Sequence, residues 1–337
     1  ATQSITLKYS ETLSASTQLV RDNFVLKIDN RDYSPKSITV KGDTIVLGEL
    51  VTVNADKTES PLVIAKGALN LTEVKYVPQA GDAKIRDAAG NATAEGAFDA
   101  SKQGVVADGY IVGAQIYIDA NNNGIAEASE LQPGVVTDAD GRFFLPAGAK
   151  TGTIIAVGGI NTDTGLPNVA PMKAPAGSKA VNPLTTLVQE VASKSGLSAG
   201  DAAKKVASAL GLSESLGAQS LLDIDPIAQA AKATSNADAA AALDIQKAAA
   251  KVATIVTLAA SGSGSGSGAT DAASKVVGNL AQSITGGESK LDLTDSSVLT
   301  SALSGVTVSA ESRSTLVEAV SAIAKTTSVG GISTLQS

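Results

Sequence analysis

Along the first hundred residues hydrophobic and polar positions alternate. "SITLKYS" sets Ile5, Leu7 and Tyr9 against polar neighbours, and "NFVLKID", "SITVKGDTIVLGE" and "TEVKYV" repeat the period of two. A strand turns successive side chains to opposite faces, so the pattern predicts half-buried β-strands, with the intervening Asn, Asp, Gly and Pro as turns. Gly42-Asp43 within "KGDTIVL" reads as a hairpin turn. Short strands at this spacing predict a β-sandwich over residues 1–100. A second β-rich stretch covers 105–178, with strands expected at 111–118, 134–137, 142–145 and 152–157.

From about residue 182 the period becomes helical. "NPLTTLVQEVASKSG" places Leu184, Leu187, Val188 and Val191 at i, i+3, i+4 and i+7. Ser198 is a candidate N-cap with Asp201 three residues on, and Gly211 a stop. Asp225-Pro226 has the form of a helix start, with Asp as cap and Pro in the first position. Ser235 or Asn236 opens the longest candidate, and "TDAASKVVGNLAQSITGG" and "SAESRSTLVEAVSAIAKTT" complete five or six helices. "SGSGSGSG" at 261–268 reads as a flexible linker between two of them. The expected fold is therefore multidomain: two all-β, sandwich-like domains at 1–100 and 105–178, then an Ala-rich α-helical bundle domain at 182–337. Exposed junctions are expected near 101–106, 175–182 and 261–268.

Composition narrows the chemistry. Of 337 residues none is His or Cys, which removes Ser-His-Asp triads, thiol nucleophiles, disulfides and the usual zinc sites. Aromatics make up 3% with no Trp, so cores must be aliphatic and a stacking platform for sugars is lacking. The formal charge of -7 disfavours nucleic acid and anionic membrane surfaces, both of which reward basic patches. "VATIVTLAA" at 252–260, the best apolar run, is too short to span a bilayer. "GGINTDTG" at 158–165 lacks the Lys and the spacing of a phosphate loop. No signal peptide is visible, so "ATQSITLKYS" reads as a mature end or as the start of a fragment.

One stretch carries chemistry. In "DANNNGIAEASE" (119–130), Asp119, Asn121, Asn123, Gly124, Glu127 and Glu130 occupy positions 1, 3, 5, 6, 9 and 12 of an EF-hand-like loop. A tightly coiled loop turns alternate side chains to one centre, glycine permits the sharp turn, and a final Glu can supply both oxygens. Ile125, at position 7, would give its carbonyl. Hard oxygen donors favour Ca2+. The preceding "GAQIYI" is strand-like, so there is no helix pair to open as in an EF-hand switch. The alternative is a polar Asn-Gly turn. Asp138 or Asp140 in "TDADG" is a further candidate donor, although Asp-Gly is more simply a turn, and Asp87 with Asn91 in "IRDAAGN" is a weaker second site.

The order "ITLKYSETL", "DNFVLKID", "SITVKGDTIVL", "IRDAAGN" over residues 3–97 resembles the SwmB-type repeat domain of bacterial extracellular proteins. That resemblance implies a structural β-sandwich module without catalysis. "GAQIYIDANNNG", followed by "GVVTDADGRFFLP", resembles the prealbumin-like modules of bacterial surface adhesins, which implies a calcium loop between strands. "APAGSKAVNPLTTLV", "ALGL" and "DIDP" resemble the segment next to such modules in long surface proteins exported by type I systems. The expectation is a secreted or cell-surface, non-enzymatic, calcium-binding structural protein. It would be a segment of an adhesin or a subunit of an extracellular filament or surface layer. Its partners would be neighbouring copies or other surface proteins, with glycans as a further class; nucleic acid and membrane insertion are not expected. A filament subunit would self-associate, for instance by adding "SITLKYS" to a neighbour's sheet edge. A carbohydrate-binding module and a calcium-dependent lyase or hydrolase are the competing classes.

Overall fold

The computed structural model describes residues 4–8, 12–14, 18–28, 31–54, 58–62, 71–79, 84–92, 96–98, 103–145, 149–217, 219–263, 267–287 and 290–336. Strands come first and helices later. The chain forms two compact units, residues 1–102 and 103–337.

The first unit holds β1 (Ser4–Lys8), β2 (Phe24–Ile28), β3 (Arg31–Lys41), β4 (Thr44–Val53), β5 (Glu59–Pro61), β6 (Leu71–Tyr76) and β7 (Gly96–Phe98). They pair in the order β1-β4-β3-β2-β6-β7, with β5 also on β4. The alternation in the sequence is the alternation in space: Phe24, Leu26 and Ile28 are buried, while Val25 between them is exposed. Each such side chain removed from water contributes about 1.5–3 kcal/mol. The turn at Gly42, with φ of +59°, joins β3 to β4. Strand β3 changes partner along its length. Residues 31–33 pair with β2 and 34–41 with β4, and residues from both arms share one core with Leu47, Val74 and Ile85. The buried phenol of Tyr76 accepts the N–H of Ile85 at 2.8 Å. Strand β1 pairs with β4 of its own chain and buries Ile5 and Leu7 there; Tyr9 lies outside the described residues.

The second unit begins with β8 (Gln103–Val106), β9 (Ile111–Val112), β10 (Gln115–Asp119), β11 (Leu131–Val136), β12 (Arg142–Phe144), β13 (Thr153–Val157), β14 (Ile160–Asn161), β15 (Met172–Ala174) and β16 (Ala180–Val181). They form the sheets β11-β10-β13-β15, β12-β8-β16 and β14-β9. Nine helices come after them among the described residues: α1 (Pro183–Ser195), α2 (Ala199–Ala209), α3 (Ser213–Leu216), α4 (Pro226–Lys232), α5 (Asn236–Gly262), α6 (Ser267–Thr285), α7 (Ser296–Ala302), α8 (Ala310–Lys325) and α9 (Val329–Gln336). Leu184, Leu187, Val188 and Val191 on α1 are fully buried in the helical core. The caps expected at Ser198, Asp225 and Ser235 form, and Asn182 adds one at the start of α1. Asn182 and Thr185 bond reciprocally at 2.8 Å, Ser198 accepts from Asp201, Asp225 from Ile227 and Ala228, and Ser235 from Asp238. Gly196 closes α1 with φ of +69°. No helix among the described residues is long and apolar enough to cross a membrane.

The β stretch at 105–178 and the helices at 182–337 lie within one compact unit. Within 175–182, Ala180 and Val181 are buried in β16 and Asn182 is buried as the cap of α1, while Ala176, Gly177 and Lys179 are exposed. The hydroxyls of Thr185 and Thr186 donate to the carbonyl of Lys173, at 2.9 and 3.2 Å, tying α1 to β15. The N–H groups of Lys179 and Ala180 share the carbonyl of Leu222. The junction at 261–268 is shorter than its composition suggests. Helix α5 continues through Gly262 and α6 starts at Ser267, with 264–266 outside the described residues. Burial of Ala259, Ala260 and Ala269 holds the two helix ends against a sequence of poor helix formers.

Candidate metal site

Strand β10 delivers the loop. Ile116 and Ile118 point into the core, and Asp119, the last strand residue, pairs with Thr153 on β13. Gly152 lets the chains approach there: a Cβ on it would sit 2.3 Å from the Asp119 carbonyl oxygen. Asp119 is only 1% exposed, and its carboxylate accepts the N–H groups of Asn123 at 3.2 Å and Gly124 at 2.8 Å. Asn122 and Gly124 have φ of +58° and +76°, which coils the loop tightly. A 3-10 turn at Ala128–Glu130 brings Glu130 back under the loop. It is 7% exposed and accepts from the N–H of Ala120 at 3.1 Å and of Glu127 at 3.4 Å.

The loop thus gathers Asp119, Asn121, Asn123, Glu127 and Glu130, but not yet as a shell of oxygens. The Asn121 and Asn123 amide nitrogens donate to the two carboxylate oxygens of Glu127, at 2.8 and 3.1 Å. Their side-chain oxygens accept backbone N–H groups, of Asn123 at 2.9 Å and of Ile125 at 2.8 Å. Among the described residues no group of three or more carboxylates or other ionisable donors is close enough to hold one ion. In chemistry the donor set fits a hard cation. In arrangement, both Asn amides would have to turn so that oxygen replaces nitrogen toward Glu127. The ammonium of Lys173 donates to the carbonyl of Gly124 at 2.7 Å and so ties the loop to β15, a link with no signature in the sequence.

The other acidic turns are held by their own backbones. Asp138 accepts from the N–H groups of Asp140 and Arg142, both at 2.9 Å, and Asp140 pairs with the Arg142 guanidinium at 3.2 Å. Asp87 accepts both the N–H and the amide of Asn91, at 2.8 Å each, and the Asn91 amide holds its carboxyl below the usual range.

A second buried polar group escaped the sequence. The hydroxyl of Tyr110 donates to Asp225 at 3.0 Å, joining β9's approach to the cap of α4 across 115 positions. Burial pushes the Asp225 carboxyl up, against the Ala228 N–H, Tyr110 and the Arg142 charge; burial also pushes the Tyr110 phenol up. A carboxyl raised in the folded state stabilises below its unfolded value, and that contribution is lost as pH rises through the folded one. Stability of the parent relative to Asp225→Asn is therefore expected to fall as pH is raised through the carboxylate range, checked by urea melts across pH. Tyr110→Phe, which takes a hydrogen-bond partner from the buried Asp225 carboxyl, should cost about 1–3 kcal/mol.

No protein family, curated protein or solved structure matches the chain.

Proposed function

We propose that this is a non-enzymatic structural protein of a bacterial cell surface, secreted and calcium-stabilised, acting as an adhesin segment or a self-assembling filament or surface-layer subunit. The observation that carries the calcium reading is the pair of buried carboxylates at loop positions 1 and 12. Asp119 and Glu130 have no ion-pair partner among the described residues, and a buried charge is costly unless paired. One Ca2+ held by Asp119, Asn121, Asn123, Glu127, Glu130 and the carbonyl of Ile125 would supply the missing positive charge. The partner change along β3, with one core between its arms, supports a sandwich for residues 1–100. The lack of His and Cys and the scarcity of aromatics support a structural role over catalysis or sugar binding. The resemblances in the strands and the loop support a role outside the cell.

Extracellular modules bind calcium with dissociation constants of roughly 0.1–1 mM. At about 1 mM free calcium the ion then adds about 0.4–1.4 kcal/mol. Chelation is expected to lower the melting temperature of the 103–337 unit by that modest amount. Glu130→Ala should remove the response, and Asp140→Ala should keep it. Titration calorimetry without calcium binding at millimolar concentration would return the loop to a polar turn. Electron micrographs with and without chelator test self-association directly.

A further inference from the structure

A cleft of about 400 Å³ opens in the second unit where the loop residues Gly124 and Ile125 meet β13, β15 and helices α1, α5 and α6. Its origin is legible in the side chains. Helices α5 and α6 meet there through Ala260, Ala269 and Ala273, beside Ala170, and methyl groups cannot fill the space between elements held at helix-packing distance. The volume falls within the range of small-molecule sites, about 300–1,000 Å³.

We propose that this cleft binds a small organic cation, a protonated amine carried on an apolar body. The apolar part follows from Met172, Val252, Val256 and Val277 on its walls. The sign follows from the charges. Asp108, Glu190 and Asp271 line the cleft against one ammonium, that of Lys173, which is already bound to the Gly124 carbonyl. Glu190 is paired with Lys194 at 3.4 Å, whereas Asp271 is exposed on α6 beside the opening. An ammonium there would meet a carboxylate next to low-dielectric walls, where the attraction is stronger than in bulk water. An anion would meet the carboxylates of Asp108 and Asp271, with Glu190 offset by Lys194 and the Lys173 ammonium already bonded to a carbonyl. The proposal does not rest on the calcium reading, and its test is run in chelator so that the two stand or fall separately.

Met172 is the single methionine of the chain and lies on the cleft wall, so a carbon-13 label in the methionine methyl gives one resonance that reports occupancy. Octylammonium, octanoate and octanol are titrated in turn. Octylammonium is expected to shift the resonance saturably, with an affinity at least about tenfold above the other two. Asp271→Asn, on the exposed side of α6, should weaken octylammonium several-fold and leave octanol unchanged. Val256→Phe should fill the cleft and abolish the shift while the fold, read by amide spectra, is kept. Three results overturn the proposal: no shift with octylammonium, equal shifts with all three compounds, or unweakened binding by Asp271→Asn.

Discussion

Leu187→Ala is expected to destabilise strands and helices of the second unit together, by about 2–5 kcal/mol. Leu187 is fully buried in the helical core, so truncation leaves a cavity among neighbours that cannot collapse freely. Its helix is also the one bound to β15 through Thr185 and Thr186, while β16 runs into its cap at Asn182. Loss of α1 therefore strips β15 and β16 of their supports. Hydrogen exchange resolves the matter: amides of β10, β13 and β15 should lose protection in step with those of α1, α5 and α6. Strand amides that stay protected while the helices open would mean two domains folding separately, as the change in sequence texture at residue 182 suggests.

Gly152→Ala should be the most damaging change near the loop. The added Cβ would stand 2.3 Å from the Asp119 carbonyl oxygen, 2.8 Å from its carbon and 3.1 Å from the Ala120 Cα. All three are backbone atoms, so the end of β10 must move. Overpacking of this kind costs about 1–3 kcal/mol or more. The displaced residue is position 1 of the candidate metal loop, so the calcium response should vanish as well. Gly124→Ala makes the comparison. There the nearest atom is the Lys173 ammonium at 3.3 Å, the far end of a long side chain, and the cost is that of a side chain at positive φ, about 1–2 kcal/mol. Thermal melts with and without calcium should rank Gly152→Ala below Gly124→Ala; the reverse order would remove the close approach from the explanation.

Much of the local structure was legible because each signal had a period or a cap. Strands β1, β2, β3, β4 and β6 of the first unit, the buried face of α1 and the caps at Ser198, Asp225 and Ser235 are written in neighbouring residues. What was not legible depends on residues far apart. Strands β8, β14, β15 and β16 have two to four residues, too few to show a period, and exist because of their partners. The fusion of the second β stretch with the helices rests on Tyr110 with Asp225 and on Lys173 with α1, contacts between distant segments. For the loop, spacing marked candidate donors, but which way each Asn amide faces depends on competition between backbone N–H groups and Glu127.

The parallel pairing of β16 with β8 has a kinetic side. Val105 and Ala180 are register partners although they lie roughly 75 residues apart, and closing so long a loop slows the search for native contacts. As the chain emerges from its N-terminal end, the sheet holding β8 stays incomplete until β16 has emerged, directly ahead of α1. Its unpaired edge is then the segment most open to pairing with another nascent copy. Refolding of the second unit should accordingly be slow and sensitive to protein concentration, a burden that a chain made in many copies at one place would carry at every round of synthesis.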